Sequence, residues 1–334
     1  MRGLVPAHST YKWGILMSET HTDRTLDAID DAIMHKERRS KPRGYFGMSG
    51  KHECDRQDWY SFRFAKRIGF DAKTLKRFAD GHAVEDLMAK RLKTVPGLTL
   101  IVADPETGRQ LGHKAVHNHL RGHQDGHIRG LVDDPLRWYV WEHKSVNENS
   151  FRKLGRLIDK HGEENALKEW NQVYWNQAQL YMHFSETPRH YMTITTPGGR
   201  DHMKCVTPEV DGAALELVER IEGIIFATEK PIPISHAPHK FFGCKFCSYK
   251  EMCDGTELPA RNCRTCIYSE PMTDGDALWK CNHHDERRDA AQQLEGCKDH
   301  RYLPAMTPYD VEFMDQENNV HYRTDVGKWT DGGV

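Results

Sequence analysis

The chain has 334 residues, a length that predicts one large domain with a small appendage. Its mean hydropathy is −0.76 and no run approaches the roughly 18 apolar residues of a membrane span, so we expect a soluble protein without a membrane partner. A net charge of −2 excludes a uniformly basic surface, so any surface that binds nucleic acid must be local.

The cysteines are clustered, which indicates metal binding. The chain has nine of them, and six lie between Cys244 and Cys281. The start of the sequence lacks the apolar stretch of a secretory signal, so the expected location is the cytoplasm, or the host cytoplasm if the source is viral. In such a reducing compartment clustered cysteines favour metal ligation over disulfides.

Residues 1–45 form a polar segment, in which the spacing of Leu26, Ile29 and Ile33 predicts a short helix over residues 23–35. The basic run at residues 36–43 is expected to be a solvated linker or, alternatively, a contact to a phosphate backbone.

Two helices are predicted between residues 46 and 95. Ser49 is the expected N-cap of the first, which carries Cys54, either a buried apolar residue or a ligand. The second covers residues 71–92, with one face formed by Phe78, His82, Glu85, Ala89 and Leu92. Burial of that face would leave Glu85 in need of a partner, either a metal ion or a core arginine.

The stretch from Arg121 to Val146 predicts a β-hairpin with a turn at residues 133–135. The first strand carries Asp125 and the second carries Glu142 and Lys144. Residues two apart on a strand share a face, so Asp125 can lie opposite the other two. These side chains fit a solvated strand end or a divalent cation site, and oxygen ligands suit Mg²⁺ or Mn²⁺.

The surrounding elements complete an α/β pattern. Strands are expected at residues 98–103, 114–119 and 191–196, and a helix at residues 165–184 with Gln177 and Tyr181 on its inward face. Alternating positions in the first half could line a phosphate-binding groove, namely His117, His119, His123, Asp125 and His127.

A helix over residues 212–228 precedes the cysteine-rich region, whose ligand sets are ambiguous. One division joins the Cys244-x-x-Cys247 and Cys263-x-x-Cys266 pairs in a single zinc site. The other closes Cys244, Cys247 and Cys253 with the distant Cys54 around an iron–sulfur cluster. Spacing alone leaves both open, and the segment after Pro304 shows no recognisable chemistry.

In combination these motifs resemble the PD-(D/E)XK nuclease superfamily, in particular RecB-like nucleases, the iron–sulfur CRISPR-associated exonucleases and phage exonucleases. The matching elements are Gly81-x-x-x-Glu85, Asp125, Glu142-x-Lys144, Gln177-x-x-x-Tyr181, and Cys54 with Cys244, Cys247 and Cys253. Gln124 stands where the family has its proline. The resemblance covers roughly residues 46–255 and implies a restriction-endonuclease-like core, a mixed central sheet flanked by helices. Outside the family pattern, the second cysteine group predicts a small C-terminal metal-binding appendage.

The resemblance also implies how the chain is divided and used. The expected parts are a polar segment at 1–45, a nuclease domain at 46–255, a zinc-binding appendage at 256–305 and a tail at 306–334. Glu85, Asp125, Glu142 and the carbonyl of His143 would bind Mg²⁺ or Mn²⁺, Lys144 would act on the attacking water, and Gln177 and Tyr181 would position the lysine or the phosphate. A 4Fe-4S cluster would be structural. The second cysteine group, Cys263, Cys266, Cys281 and Cys297, lies outside the family pattern, and we expect it to bind zinc in a separate appendage.

The expected function is that of a metal-dependent DNA exonuclease in phage recombination, repair or degradation. DNA is the expected substrate, and a single-strand annealing or helicase protein is a candidate partner. Two alternatives are a structure-specific or restriction-like endonuclease and a zinc-ribbon DNA-binding protein with an inactive nuclease core. The complete set of acids and lysine argues against the inactive core.

Overall fold

The computed structural model describes residues 23–40, 42–236 and 241–332. No helix within these ranges is long and apolar enough to span a membrane. The helices of the described residues are α1 (Arg24–Arg38), α2 (Asp55–Phe62), α3 (Ala72–Leu92), α4 (Glu148–His161), α5 (Glu163–Trp170), α6 (Gln172–Phe184), α7 (Ala213–Phe226) and α8 (Lys250–Cys253).

The strands of the same ranges are β1 (Phe46–Gly47), β2 (Thr99–Ile101), β3 (Gly112–Ala115), β4 (Leu120–His123), β5 (Gly126–Leu131), β6 (Asp134–Ser145), β7 (Arg189–Thr195), β8 (His202–Pro208), β9 (Ser269–Pro271), β10 (Trp279–Cys281), β11 (Glu286–Arg288), β12 (Asp310–Met314), β13 (Val320–Thr324) and β14 (Gly327–Asp331). The central sheet has the order β2-β5-β6-β7-β8, and the others are β1-β4-β3, β11-β10-β9 and β12-β13-β14.

The central sheet is mixed and covered by helices on both faces. Strands β6 and β7 are parallel, and the other neighbours are antiparallel. Because side chains alternate along a strand, Trp141 packs with Met88 of α3 in one apolar cluster, while Val140 belongs to a second cluster with Leu180 of α6. The predicted α/β core, a mixed sheet flanked by helices, is confirmed.

Two predicted helices differ from those observed. Ser49 lies in a short 3₁₀ turn, and the N-cap of α2 is Cys54, so the assignment of Ser49 as that cap was wrong. The predicted helix at 165–184 is two helices, because Asn171 adopts an extended conformation and its side chain accepts a hydrogen bond from the N–H of Tyr174, which caps α6.

The predicted strand at 114–119 is interrupted. Val116, His117 and Asn118 have φ values of 48°, 52° and 67°, which turn the chain between β3 and β4. Helix α1 ends three residues beyond the predicted helix, so residues 36–38 of the basic run are helical. Residues 1–22 of the polar segment lie outside the described residues, as does position 41 of the basic run.

The C-terminal quarter of the chain packs on the α/β core. Trp279 and Met306 are buried in the same apolar cluster as Trp59 of α2. The segment after Pro304, for which no elements were predicted, forms the β12-β13-β14 sheet, and Asp331 at its end accepts a hydrogen bond from Arg261. The cysteine-rich segment and the tail therefore share a core with the central sheet.

Candidate functional site

The start of β5 and the end of β6 bring two carboxylates together. Gly126 pairs with Trp141 in antiparallel register, so Asp125, one residue earlier, lies beside Glu142. A Cβ atom at Gly126 would lie 2.6 Å from the carbonyl oxygen of Ile101. A glycine at this position therefore permits the close strand approach that places Asp125 at the site.

Glu142 is 2% exposed and is held by two donors on one oxygen. Its Oε1 accepts hydrogen bonds from Lys144 Nζ at 2.5 Å and Gln177 Nε2 at 2.8 Å. Its Oε2 is buried without a hydrogen-bond partner in the described part of the chain. The neighbouring Asp125 is fixed by the backbone N–H of His143, which donates to its Oδ2 at 2.8 Å. An unpartnered buried carboxylate oxygen is costly, and a cation would satisfy it.

Glu85 of α3 belongs to the same group. Burial raises the pKa of its carboxyl, the negative charge of Glu142 raises it further, and Lys144 opposes both effects. Glu85, Asp125, Glu142 and Lys144 thus act on one another electrostatically, and we call these four residues the carboxylate site.

The face assigned to α3 from its sequence was only partly correct. The buried residues are Val84 and Met88, one position away from Glu85 and Ala89. Phe78 and His82 are exposed, and Phe78 packs edge-on against Phe70. Glu85 therefore lies at the margin of the buried face, half-buried and directed at the carboxylate site.

Burial sets the protonation of the carboxylate site. It raises the pKa of Asp125 to about 6 and that of Glu142 to about 7, and neighbouring carboxylates add to the effect while Lys144 reduces it. Burial alone would lower the pKa of Lys144, but Glu142 and Asp125 outweigh it and raise this pKa. The lysine therefore stays cationic, and the acids gain from any additional positive charge.

Helix α6 supports the site, though through different atoms from those predicted. Gln177 binds Glu142 and not the lysine, and the hydroxyl of Tyr181 donates to the carbonyl of His123 at 2.8 Å, two residues before Asp125. Tyr174 places its ring 5.4 Å from Lys144 Nζ, a contact that the sequence did not indicate because aromatic residues are frequent in this helix.

The imidazole of His143 lies away from the carboxylates. Its Nδ1 is 3.0 Å from Thr193 Oγ1 and its Nε2 is 3.3 Å from Thr195 Oγ1. Only the carbonyl of His143 thus remains as a candidate ligand, as the sequence suggested. Thr193 and Thr195, on the neighbouring strand β7, are supporting residues that carried no signal in the sequence.

The predicted groove of alternating histidines is not formed. His117 lies in the turn between β3 and β4, and His119 is fully buried, with Nε2 2.8 Å from the carbonyl oxygen of Met272. The turn breaks the alternation, so these residues do not continue the face of Asp125.

The structure sorts eight of the cysteines into two cavities, each of about 330 Å³. The first cysteine cavity is lined by Cys54, Cys244, Cys247 and Cys253, and also by Arg56 and Lys250. Burial raises the pKa of Cys244, Cys247 and Cys253, and the neighbouring thiols raise each further. A site built from Cys244, Cys247, Cys263 and Cys266 is not formed, because the two pairs line different cavities.

Polar contacts connect the first cysteine cavity to the carboxylate site. Val173 lines the cavity, next to Tyr174 in α6. Lys51 is fully buried, pairs with Asp58 at 3.0 Å, and accepts a hydrogen bond at its carbonyl from Asn176 of α6. The buried pair holds the start of α2, with Cys54 at its N-cap, against the helix that carries Gln177.

The second cysteine cavity is lined by Cys263, Cys266, Cys281 and Cys297, together with His283, His284 and Asp299. Among the described residues, the ligand atoms of His283, His284 and Asp299 lie within 4.8 Å of one another, and no three cysteine sulfurs meet that limit. His284 Nε2 is also 3.7 Å from Cys297 Sγ.

No protein-family model and no curated protein matches the chain. Distant similarity is found to solved structures. SSO0001 is 13% identical, with a TM-score of 0.40 over 70% of this chain and 98% of that one. The alkaline exonuclease LHK-Exo of Laribacter hongkongensis is 12% identical, with a TM-score of 0.36 over 58% and 90%. The structure of LHK-Exo in complex with dAMP is 11% identical, with a TM-score of 0.34 over 59% of this chain and 90% of that one. Similarity at this level assigns no family to the chain.

Proposed function

We propose that this protein is a divalent-metal-dependent deoxyribonuclease. The observation that carries the proposal is the convergence of Glu85, Asp125 and Glu142 with Lys144, in which Glu142 keeps a buried oxygen without a partner among the described residues. Three acids whose pKa values are raised by burial, next to one cation, are suited to bind hard cations and to act on a phosphodiester.

The residues present fit Mg²⁺ or Mn²⁺. Oε2 of Glu142, the carboxylates of Asp125 and Glu85, and the carbonyl of His143 are oxygen donors of the type these ions prefer. When bound, such an ion supplies positive charge to a phosphoryl oxygen and favours ionisation of a bound water.

The protein's own groups orient this chemistry. Lys144 holds a permanent positive charge that stabilises the negative charge developing on the phosphate and orients the attacking water. Gln177 keeps Glu142 in position through its amide, and Tyr181 fixes the backbone just before Asp125. Because each donor is already buried and directed, little reorganisation is needed when substrate binds.

We propose a 4Fe-4S cluster in the first cysteine cavity. Cys54, Cys244, Cys247 and Cys253 supply the four thiolates that a cubane needs. Arg56, in the same cavity, lowers the pKa of Cys253 against the effect of burial, which favours a thiolate there. The cluster is structural, joining the start of α2 to α8.

Cleavage assays with Lys144→Ala and Asp125→Ala test the nuclease proposal. Each substitution removes a charge of the carboxylate site, so we expect the rate to fall about 10²-fold or more with the fold intact. Lys168→Ala is the matched control, since Lys168 stacks on Trp175 and does not contact the carboxylate site. More than about a tenth of the normal rate in either variant would refute the assignment.

Metal and substrate dependence complete the test. Mg²⁺ or Mn²⁺ should support cleavage, EDTA should abolish it, and Ca²⁺ should permit DNA binding without cleavage, because oxygen ligands accept all three ions but Ca²⁺ tolerates irregular geometry.

We expect linear DNA to be degraded from its ends and closed circular DNA to be spared. Cutting of circular DNA at a comparable rate would identify an endonuclease instead.

A further inference from the structure

The second cysteine cavity is formed by short, well-defined elements. Cys263 begins a 3₁₀ turn that Asn262 caps through a reciprocal capping box with Thr265. The N–H of Cys266 donates back to the carbonyl of Cys263 at 3.2 Å. Cys281 ends strand β10, which pairs with β9, so it lies beside this turn. Local hydrogen bonding thus presents two cysteines on one turn and a third on an adjacent hairpin, with Cys297 closing the cavity.

The thiols are better candidate ligands here than the histidines. His283 and His284 both face the carboxylate of Asp299, at 3.8 Å and 3.5 Å, and all three are partly exposed. Cys263 has only weak contacts, 3.9 Å and 3.8 Å from two carbonyl oxygens. Four cysteines in one cavity are a typical closed structural zinc set, in which the metal displaces the thiol protons.

Arg264, which follows Cys263 in this turn, extends into the α/β core. Arg264 is completely buried, and its guanidinium donates to the carbonyls of Phe62 at 2.6 Å and Gly44 at 2.8 Å and to Gln293 Oε1 at 2.6 Å. It stacks over the ring of Phe62 at 4.6 Å and over that of Trp279 at 4.9 Å. No carboxylate pairs with it in residues 23–40, 42–236 and 241–332.

A second arginine makes the contact reciprocal. Arg63, just after α2, donates to the carbonyl of Arg264 at 2.9 Å and to the carbonyl of Ala227. Each arginine therefore binds the backbone next to the other. Burying two guanidinium groups is costly, because within the described residues they are balanced by carbonyl oxygens and aromatic rings and not by carboxylates. The segments that supply those carbonyls must therefore be held accurately for the hydrogen bonds to offset the cost of desolvation.

We propose that Cys263, Cys266, Cys281 and Cys297 bind one zinc ion, and that this zinc fixes the turn from which Arg264 braces the end of α2. Binding draws the thiols together, because tetrahedral ligation at about 2.3 Å per Zn–S bond requires sulfurs closer than the present spacing. Zinc thereby stabilises a segment of the α/β core some two hundred residues away in the sequence.

Metal analysis of the full-length protein tests the first half of this proposal. We expect about one zinc per chain, lost in Cys281→Ser and retained in Cys205→Ser, a control in which the cysteine is buried outside both cavities. His284→Ala should also retain zinc. Loss of zinc in His284→Ala with retention in Cys297→Ser would overturn the ligand set, and a zinc-free protein, or iron in its place, would overturn the site.

Hydrogen exchange tests the second half of the proposal, that zinc stabilises the end of α2 through Arg264. The amides of Arg63, Phe64 and Ala65 bond to the last turn of α2, and we expect them to exchange at least about tenfold faster after zinc is removed by a chelator. Arg264→Met should accelerate the same amides while keeping its zinc, and chelation should then add little. Exchange in β7 is the internal reference. Unchanged exchange at these amides on zinc removal would overturn the brace, whether or not the protein cleaves DNA.

Discussion

At the scale of single residues, the carboxylate site carries more negative charge than it can balance alone. Glu85, Asp125 and Glu142 face one lysine, and the pKa of each acid is raised by burial. Folding therefore shifts these acids towards their protonated forms in the absence of a metal, whereas binding of the proposed metal requires their ionised forms. Protons and divalent cations should compete at this site near neutral pH.

This competition predicts an unusual dependence of stability on pH. The pKa of Asp125 rises from 3.8 to about 6 and that of Glu142 from 4.5 to about 7. A carboxyl with a raised folded-state pKa stabilises the fold at low pH, and that contribution is lost as pH rises from about 4 to about 7. Without metal, these two groups should therefore lower the unfolding free energy across that window, each by roughly 3 kcal/mol at about 1.4 kcal/mol per pKa unit.

Denaturant unfolding at pH 5 and pH 8 measures the effect. Millimolar Mg²⁺ should restore stability at pH 8 and have little influence at pH 5, because protonated acids do not bind the ion. Glu142→Gln, which cannot ionise, should flatten the metal-free profile. A metal-free profile that is identical in the wild type and in Glu142→Gln would contradict the electrostatic account of the site.

At the scale of elements, helix α2 joins the first cysteine cavity to the core. Cys54 is its N-cap residue, and Trp59 and Tyr60 within it are fully buried. A cluster held by Cys54 and by Cys244, Cys247 and Cys253 would close a loop on the order of two hundred residues long, for which a covalent link restricts the unfolded chain strongly.

Cys54→Ser should therefore lose the proposed cluster and destabilise the α/β core. We expect wild-type protein prepared without oxygen to be brown and to contain about four irons, and the variant to be colourless with its zinc retained. Its unfolding midpoint should fall by on the order of 10 °C. Cys205→Ser should keep its iron, and a Cys54→Ser protein with full iron content would exclude Cys54 as a ligand.

The sequence predicted best where local rules decide the structure. Asp125, Glu142 and Lys144 follow from alternation along a hairpin, and the observed register agrees with it. The turn at Val116–Asn118 left no signal, because its left-handed conformations occur in residues other than glycine. The break at Asn171 was missed because the apolar pattern runs through it while the asparagine caps a new helix. Long-range packing decides such points, and a single sequence does not reveal it.

At the scale of the whole molecule, the last strand closes the structure onto the cysteine-rich segment. Asp331 is fully buried, accepts a hydrogen bond from Arg261 at 2.7 Å, and accepts another from the N–H of Tyr302 at 2.6 Å. The ring of Tyr302 in turn lies 4.7 Å beneath the Arg261 guanidinium. The tail that carried no recognisable chemistry in the sequence is thus an integral part of the fold.

Asp331→Ala should destabilise the protein by roughly 3 kcal/mol, because it removes the carboxylate that pairs with one guanidinium nitrogen of Arg261 and accepts the buried N–H of Tyr302. Chemical denaturation measures the change, and the cleavage rate per folded molecule should not alter, since Asp331 lies outside the carboxylate site. Asp325→Ala, on the exposed turn between β13 and β14, is the matched control. Equal stability of the two variants would rule out a structural role for the Asp331 contacts.

The reciprocal contact of Arg63 and Arg264 has a consequence for biosynthesis. By the time the chain has been made as far as α7, every residue of the carboxylate site is present, but the partners of α2 at Met252, Asn262 and Arg264 are not. Contacts between residues so distant in sequence form late and slow the search for the native state. We therefore expect translation to deliver the residues of the carboxylate site well before the end of α2 can settle, so that the proposed nuclease activity would arise only after the chain is nearly complete.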